Sequence, residues 1–231
     1  MRALSHYFRY ECRGFEHVAQ REASLVVAYH GRPWPIDVLF LAERMHRELG
    51  YLPRAIFGEA LRRLPIAREL IAELRGFYNY PEADDVAELR ARGQHLVVLP
   101  GGGREAFRPC WVGRRVDWGV RRGYLRLAWR YRLPIVPVAA SGVDHLYLGL
   151  NDGYRLSRRL FGHGHSSGLW LALGLGGPWP LGLPWPVKIR QRVGAPIRLE
   201  AIRKATGSEH EFYAEAHRAV AGAVQRLLDA G

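Results

Sequence analysis

The chain has 231 residues, 48% of them apolar and 24% charged, which is typical of one globular domain with a sizeable core and excludes a disordered chain. Two cysteines, Cys12 and Cys110, cannot build a disulfide framework or a four-ligand zinc site of their own, and their scarcity is typical of a reducing compartment. The formal net charge of +12 predicts an anionic partner: nucleic acid, phospholipid headgroups or a phosphorylated ligand.

The first half of the chain alternates strand-like and helix-like segments. Residues 24–29 (SLVVAY) are typical of a buried strand, and a mostly apolar stripe from Ile36 to Gly50 predicts a helix after the proline-rich turn HGRPWP. A further helical pattern runs from Glu59 to Leu74, where Pro65 is expected to bend or split the helix. The other elements predicted here are a strand and turn at 7–18, a short strand at 77–80, a helix at 81–92 and a second buried strand at 95–99 (HLVVL).

The second half continues the alternation. A helix is predicted at 121–132 and a half-exposed strand at 187–193, while Ser208 and Glu211 form a capping box that opens a final helix. The strand at 135–139 contains Pro137, which favours an edge position or a bulge. With no repeats and no linker, we expect a single domain over 1–231 of α/β class, with a mixed, largely parallel sheet flanked by helices.

The longest uncharged run extends from Ser166 to Val187. Four prolines in its second half rule out a continuous transmembrane helix, and the charged N-terminal segment does not resemble a signal peptide. The run also contains three tryptophans, a residue that favours the membrane interface. Two interpretations remain open: a loop that covers the core, or a surface that dips into lipid.

His30 is the most informative candidate for chemistry because it follows the predicted strand 24–29 directly, and reactive groups in α/β sheets gather at the carboxyl ends of strands. Asp37 lies in the first turn of the next helix, where a carboxylate could fix the tautomer of the imidazole and raise its basicity. The spacing alone is weak, since His145 and Asp152 share it, and the alternative is a loop histidine near an aspartate that favours a helix N-terminus.

The segment Pro-Gly-Gly-Gly-Arg-Glu-Ala at 100–106 follows the second buried strand. Gly101, Gly102 and Gly103 allow a ligand to approach the backbone amides closely, and Arg104 and Glu105 place a cation and a carboxylate beside them. The segment lacks the Gly-Lys-Ser/Thr ending of a Walker loop and the glycine spacing of a dinucleotide fingerprint. The alternative is a simple tight turn.

Three other functions are weaker. Ser166 lies in a Gly-x-Ser-x-Gly pattern at 164–168, but no buried strand precedes it, as the elbow of a serine hydrolase requires. His163 and His165 have no third ligand nearby, so no metal site is predicted. The basic residues are spread along the chain without a nucleic-acid-binding motif, and an anionic membrane surface accounts for the same charge.

The order of these segments resembles the phospholipid/glycerol acyltransferase family, within the lysophospholipid acyltransferase-like superfamily. Residues 24–37 (SLVVAYHGRPWPID) resemble its histidine–aspartate motif, and residues 96–106 (LVVLPGGGREA) resemble the Pro-Gly-Gly block of the monoacylglycerol and diacylglycerol acyltransferase branch. Residues 123–128 and 133–138 resemble the block before the last core strand, so the likeness covers about 7–197. It implies the family's α/β fold and a transfer of fatty acyl groups.

The resemblance implies that His30, oriented by Asp37, deprotonates a hydroxyl of a mono- or diacylglycerol or a lysophospholipid. That hydroxyl attacks an acyl thioester, acyl-CoA or acyl-ACP, directly and without a cofactor. The residues Gly101–Gly103 with Arg104 are implied to hold substrate oxygens, and Glu105 to bind acceptor hydroxyls. The implied location is peripheral, on the cytoplasmic inner face of a membrane. Six residues separate His30 from Asp37, against four or five in the family, which leaves a catalytically impaired, basic, membrane-binding protein of the same fold as the alternative.

Overall fold

The structure, a computed structural model, describes residues 2–19, 22–58, 61, 65–73, 76–78, 80–162 and 169–231. The helices in these ranges are α1 (Arg2–Tyr7), α2 (Ile36–Leu49), α3 (Pro65–Glu73), α4 (Ala83–Ala91), α5 (Gly103–Ala106), α6 (Gly123–Arg130), α7 (Gly153–Phe161), α8 (Leu199–Lys204) and α9 (Glu209–Asp229). The strands are β1 (Glu11–Arg13), β2 (Leu25–Ala28), β3 (Arg54–Phe57), β4 (Phe77–Tyr78), β5 (Leu96–Val98), β6 (Ile135–Ser141), β7 (Leu148–Gly149), β8 (Ala172–Gly174), β9 (Gly177–Pro178) and β10 (Arg190–Val193).

The main sheet has the strand order β1-β10-β6-β2-β5-β3-β4 within the described residues. The five strands from β6 to β4 run parallel, whereas β10 is antiparallel to β6 and β1 is parallel to β10. The predicted α/β class with a largely parallel sheet is therefore confirmed. Val27 of β2 pairs with Val98 of β5 on one side and with Pro137 of β6 on the other, so the carboxyl ends of these three strands meet at one edge.

Helices cover both faces of this sheet, which is why β2, β5 and β6 are almost continuously apolar. On one face α9 packs against β6 through a buried stripe at helical spacing, formed by Phe212, Ala216, Val220, Val224 and Leu228. On the other face α2 buries Val38, Leu41 and Met45 against Val26 and Val136. The two helical layers pack the central strands between them. The segments that follow β2, β5 and β6 therefore start from fixed positions.

Several predicted elements are found at or near their expected positions. The helix from Ile36 ends at Gly50, whose φ of 82° is the left-handed conformation that glycine favours after a helix. The final helix opens on Ser208, whose side chain accepts a hydrogen bond from the Glu211 N–H at 3.1 Å. The third helix begins at Pro65 within the described residues, because a first-turn position needs no N–H from proline.

Pro137 corrects one prediction, since its strand β6 lies inside the sheet, between β10 and β2, and not at an edge. The Pro137 carbonyl accepts a hydrogen bond from the Gly194 N–H, directly after β10 ends at Val193. The missing N–H of the proline therefore falls where the neighbouring strand leaves the sheet, and an interior strand can accommodate it.

The uncharged run provides a second difference from the expectations. From Leu169 onward it contains β8 and β9, which pair with β7 in a short antiparallel sheet of three strands.

Three further elements of the structure, α1, α7 and β3, were not predicted from the sequence. Their sequences are short, and their apolar residues are too few to distinguish a packed element from a loop.

A buried cluster of charges fixes the loop between β2 and α2. Asp144, which follows β6, is 2% exposed, and its carboxylate accepts hydrogen bonds from the Tyr29 hydroxyl at 2.8 Å and from the Arg114 N–H at 2.7 Å. Arg32 and Arg108, 0% and 3% exposed, place guanidinium nitrogens 3.5 and 3.4 Å from the same carboxylate. Arg32 also donates to the carbonyls of Asp144 and Val112. Burial lowers the pKa of both guanidinium groups, and the charge of Asp144 opposes that shift.

We expect Asp144→Asn to lower the free energy of unfolding by about 3–5 kcal/mol, because it leaves two buried guanidinium groups without a counter-charge. Asp152→Asn is the matched control, since Asp152 pairs with the exposed Arg155 at 3.2 Å and an asparagine still caps α7. Urea denaturation followed by circular dichroism measures both. Equal midpoints for the two variants would contradict a structural role for the cluster.

Candidate active site

The candidate residues lie at the carboxyl edge of the main sheet. His30 follows β2 and Gly101 follows β5, and these strands are parallel neighbours. Asp144 follows β6 on the other side of β2. The topology therefore brings together three segments that are far apart in the sequence, at the edge where ligands bind in open α/β sheets.

His30 is half-buried, and its ring Nδ1 lies 2.7 Å from the carbonyl oxygen of Gly31. Since a carbonyl can only accept, Nδ1 carries a proton and donates it in this bond. Burial lowers the pKa of His30, and the bond to Gly31 opposes that shift. Near neutral pH the imidazole is thus neutral, with its lone pair on Nε2. This is the tautomer that a general base requires.

Glu105 joins the segment after β2 to the segment after β5. Its side chain is 0% exposed, and its two oxygens accept hydrogen bonds from the backbone N–H of His30 at 3.0 Å and of Asp117 at 2.8 Å. Burial raises the pKa of Glu105 to about 8, against the opposing effect of those two bonds. The buried carboxyl of Glu105 therefore supports the backbone of His30, and its expected contact with an acceptor hydroxyl stays a prediction.

The glycines explain why this block can fold around Glu105. A Cβ on Gly101 would lie 2.0 Å from Glu105 Oε2, so only glycine leaves room for the carboxyl group. Gly102 has a φ of 46°, a conformation in which L side chains are strained. Arg121 holds the same turn from the other side by donating to the carbonyls of Pro100 and Gly101 at 2.8 and 2.7 Å.

We expect Gly101→Ala to cost roughly 1–3 kcal/mol of stability, because the added methyl group displaces the buried carboxyl of Glu105. Gly58→Ala is the control: its Cβ would meet no atom of the described residues within 4 Å, and its φ does not lie in the left-handed region. Thermal unfolding of both variants against the wild-type chain is the measurement. A Gly101→Ala variant as stable as Gly58→Ala would show that Glu105 does not depend on this space.

Asp37 lies in the first turn of α2, fully buried, and is not hydrogen-bonded to His30. Gln191 of β10 donates to its carbonyl at 3.0 Å and, at 3.4 Å, to Oδ2, while Oδ1 has no hydrogen-bond partner among the described residues. Burial raises the pKa of Asp37 to about 7. The structure thus places His30 at the start of the loop and Asp37 in the first turn of the helix that follows it, and their direct interaction stays a prediction.

Arg104 faces an open pocket at the end of the glycine block. Its guanidinium contacts both oxygens of Asp117, at 2.7 and 3.0 Å, and this bond raises its pKa. The pocket has a volume of about 260 Å³. It is lined by three arginines, two aspartates and a tyrosine: Arg104, Arg155, Arg158, Asp117, Asp152 and Tyr154. Two of the three cations are paired with the aspartates, so little net charge remains in the pocket.

Some sequence candidates fall outside this site. Ser166, His163 and His165 lie outside the described residues. In the ranges that the structure does describe, no group of three or more His, Cys, Asp or Glu side chains is placed to hold a metal ion. None of the helices in those ranges is both long and apolar enough to cross a bilayer.

The residues that hold the site in place, Asp144, Arg32 and Arg108, were not among the candidates predicted from the sequence. Asp144 follows a buried strand, as His30 and Gly101 do, so the same rule could have identified it. Arg32 and Arg108 gave no such indication, because arginine is rarely buried and nothing in the local pattern marks these two among the many arginines of the chain. The contact of Gln191 with Asp37 spans 154 positions and depends on the strand order alone.

This chain is similar in sequence to one protein family and to several individual proteins. A family model described as Acyltransferase matches residues 9–141. A human protein described as a DGAT1/2-independent enzyme synthesizing storage lipids is 26% identical over 229 residues, which cover 95% of this chain and 65% of the relative. An uncharacterized protein of Mycobacterium tuberculosis is 30% identical over 197 residues, covering 83% of this chain and 52% of its own length. The chain thus spans between half and two-thirds of the length of these relatives.

A solved structure has the same fold. The crystal structure of the 1-acyl-sn-glycerophosphate acyltransferase PlsC from Thermotoga maritima superposes with a TM-score of 0.54. The match covers 94% of this chain and 71% of that one at 20% sequence identity. This likeness shows a common fold.

Proposed function

Since this chain belongs to the acyltransferase family, we propose that it moves a fatty acyl group from acyl-CoA or acyl-ACP to a hydroxyl of a glycerolipid. The observation that carries the proposal is the state of His30. Its Nδ1 proton is engaged by the Gly31 carbonyl, and its Nε2 lone pair is available at the carboxyl edge of the sheet, beside the glycine block. A neutral imidazole in this tautomer can take a proton from an acceptor hydroxyl.

The proposed reaction is a direct transfer. His30 Nε2 accepts the hydroxyl proton as the acceptor oxygen bonds to the thioester carbonyl carbon, and collapse of the tetrahedral intermediate breaks the carbon–sulfur bond. The proton on His30 then passes to the leaving thiolate, so no cofactor and no acyl-enzyme are needed. The backbone N–H groups of Gly101 and Gly103, which have no acceptor in the described part of the chain, are suited to the negative oxygen of the intermediate.

Two candidate functions differ in whether His30 is oriented for catalysis. In the catalytic proposal the Gly31 carbonyl fixes the tautomer of His30, and Glu105 holds the backbone of His30. Asp37 then acts on His30 only indirectly, through the loop that joins the two residues. The second candidate is a catalytically impaired membrane-binding protein of the same fold. It is favoured by the buried bonds of Arg32, which anchor the lengthened loop away from a direct contact between His30 and Asp37.

The pocket at Arg104 supports a neutral acceptor, such as mono- or diacylglycerol, over an acceptor with a phosphate group. A phosphate would have to compete with the carboxylate of Asp117 for the Nη2 N–H donors of the Arg104 guanidinium. The description of the human relative, which names storage lipids, supports the same choice. We place the protein peripherally, on the inner face of the cytoplasmic membrane, where its net charge of +12 meets anionic headgroups.

We expect His30→Ala to lower acyl transfer by about 10²–10⁴-fold, since it removes the general base. The assay follows a labelled acyl thioester into mono-, di- and lysoglycerolipids, and includes Asp37→Asn to test the predicted pair. His145→Ala is the matched control, because His145 is exposed and has the same spacing to Asp152. Unchanged transfer in His30→Ala would remove the general-base assignment, and no transfer by the folded wild-type chain would favour the binding protein.

The pH profile supplies an independent check on His30. Burial lowers the pKa of its imidazole below the usual value of 6.5, and the base acts only when it is unprotonated. Activity is therefore present at neutral pH and falls as the pH drops through that lowered pKa. We expect the acidic limb of kcat/KM below pH 6.5, with circular dichroism at each pH to show that the chain stays folded. Burial raises the pKa of Asp37 to about 7 and that of Glu105 to about 8, so the profile is also recorded for Asp37→Asn and Glu105→Gln. A limb at or above 6.5 that remains in both variants contradicts a buried, neutral His30.

A further inference from the structure

The segment 169–175 has an unusual pattern of exposure. Leu169, Leu171, Leu173 and Leu175 are 36–68% exposed, whereas Trp170 and Ala172 between them are 4% and 3% exposed. Alternation of this kind is normal for a strand with one buried face, but the outward positions are then expected to be polar. Here every outward position is a leucine.

The neighbouring strands extend this apolar surface. Leu148 of β7 is directly opposite Leu173, and Leu183 is directly opposite Leu175, so these side chains share the outward face of the small sheet. Leu181, in the turn before Leu183, is 86% exposed. We call this surface the leucine face. It comprises Leu148, Leu171, Leu173, Leu175, Leu181 and Leu183.

Helix α7 adds a second apolar stripe and a set of cations. Leu156, Leu160 and Phe161 are 39%, 59% and 57% exposed near its C-terminal half. The same helix carries the exposed Arg155 and Arg159. From residue 145 to residue 187 the sequence contains three arginines and a single acidic residue, Asp152, so the charge around the apolar surface is positive.

We propose that the leucine face, together with the outer side of α7, is the surface by which the protein docks onto an anionic lipid bilayer. Exposed leucines enter the acyl region, while the arginines of α7 meet the headgroups, which is the division of roles in an interfacial element. A second copy of the chain is a poorer partner, because an isologous contact would bring the same cations against each other. The inference rests on the proposed function in that it supplies the site with a lipid acceptor.

The docking surface is connected to the candidate active site. Trp34, in the loop between His30 and Asp37, is 56% exposed and makes an edge-to-face contact with Trp179 of the small sheet, with ring centroids 5.7 Å apart. Arg121 bonds both to the glycine block and, at 3.2 Å, to the Tyr154 hydroxyl on α7. These contacts join the small sheet and α7 to the edge of the main sheet that carries His30.

The test is flotation of the purified 231-residue chain with vesicles, without acyl donor or acceptor. We expect the wild-type chain to bind vesicles of phosphatidylcholine with phosphatidylglycerol, and the triple variant Leu171→Ser, Leu173→Ser, Leu181→Ser to bind at least ~10-fold more weakly. The control is Leu39→Ser with Leu52→Ser, two leucines of 48% and 43% exposure outside this surface. The proposal is overturned if the control variant loses as much vesicle binding as the triple variant. It is also overturned if neither variant loses binding.

A charge variant keeps the test independent of the leucines. Arg155→Gln removes a cation of 82% side-chain exposure that pairs with Asp152 three residues before it, and we expect roughly fivefold weaker binding to phosphatidylglycerol vesicles. Arg218→Gln is matched, since Arg218 is 73% exposed and pairs with Glu215 at the same spacing. Equal effects of the two variants would mean that net charge, and not this surface, determines binding.

Two further measurements separate the other outcomes. Sedimentation of the wild-type chain and the triple variant shows whether the leucine face binds a second copy; a wild-type dimer that becomes monomeric without any change in vesicle binding would overturn lipid docking. Acyl transfer to a monomeric, short-chain acceptor is expected to persist in the triple variant and to fall only on vesicles. Because flotation requires no turnover, it gives its result even if acyl transfer is never observed.

Discussion

The carboxylate of Asp144 is the constraint on which the candidate site depends. It is buried with two guanidinium groups, those of Arg32 and Arg108, and also accepts the Tyr29 hydroxyl and the Arg114 N–H. Each of these donors belongs to a segment that leaves the carboxyl edge of the sheet. A buried ion that lacks its partner is costly, so these segments cannot move apart independently. The path of the loop from His30 to Asp37 follows from the burial of Arg32.

Glu105 provides the second connection, and it explains why the glycine block has its sequence. Its carboxyl group ties the backbone of His30 to that of Asp117 and occupies the space that a side chain on Gly101 would fill. The block therefore does two things at once: it leaves amide groups open at the edge of the sheet and holds the candidate base in position. The lengthened loop is compatible with a general base because the Gly31 carbonyl, adjacent in the chain, fixes the tautomer of His30.

Two contacts connect the small sheet and α7 to the carboxyl edge of the main sheet. Trp34 contacts Trp179, and Arg121 bridges the glycine block and α7. A segment that is apolar, proline-rich and uncharged in sequence becomes a small sheet whose inward face packs on Tyr147 and Trp170 and whose outward face remains leucine. In the proposed function the acceptor is a lipid, and these contacts join the proposed docking surface to the edge of the sheet that carries His30.

The sequence by itself determined the α/β class, the strands that end at His30 and at the glycine block, and the two segments that resemble the family. These properties are local: apolar runs, glycine content and a capping serine act within a few residues of where they occur. Only the tertiary structure decided that Pro137 lies in an interior strand and that Glu105 accepts a hydrogen bond from the His30 N–H. It also decided that Asp37 accepts a hydrogen bond from Gln191. Each of these depends on strand order, which brings together residues tens to more than a hundred positions apart. The strand order cannot be predicted from a local sequence pattern, because the free energy that selects it comes from burial of the whole sheet.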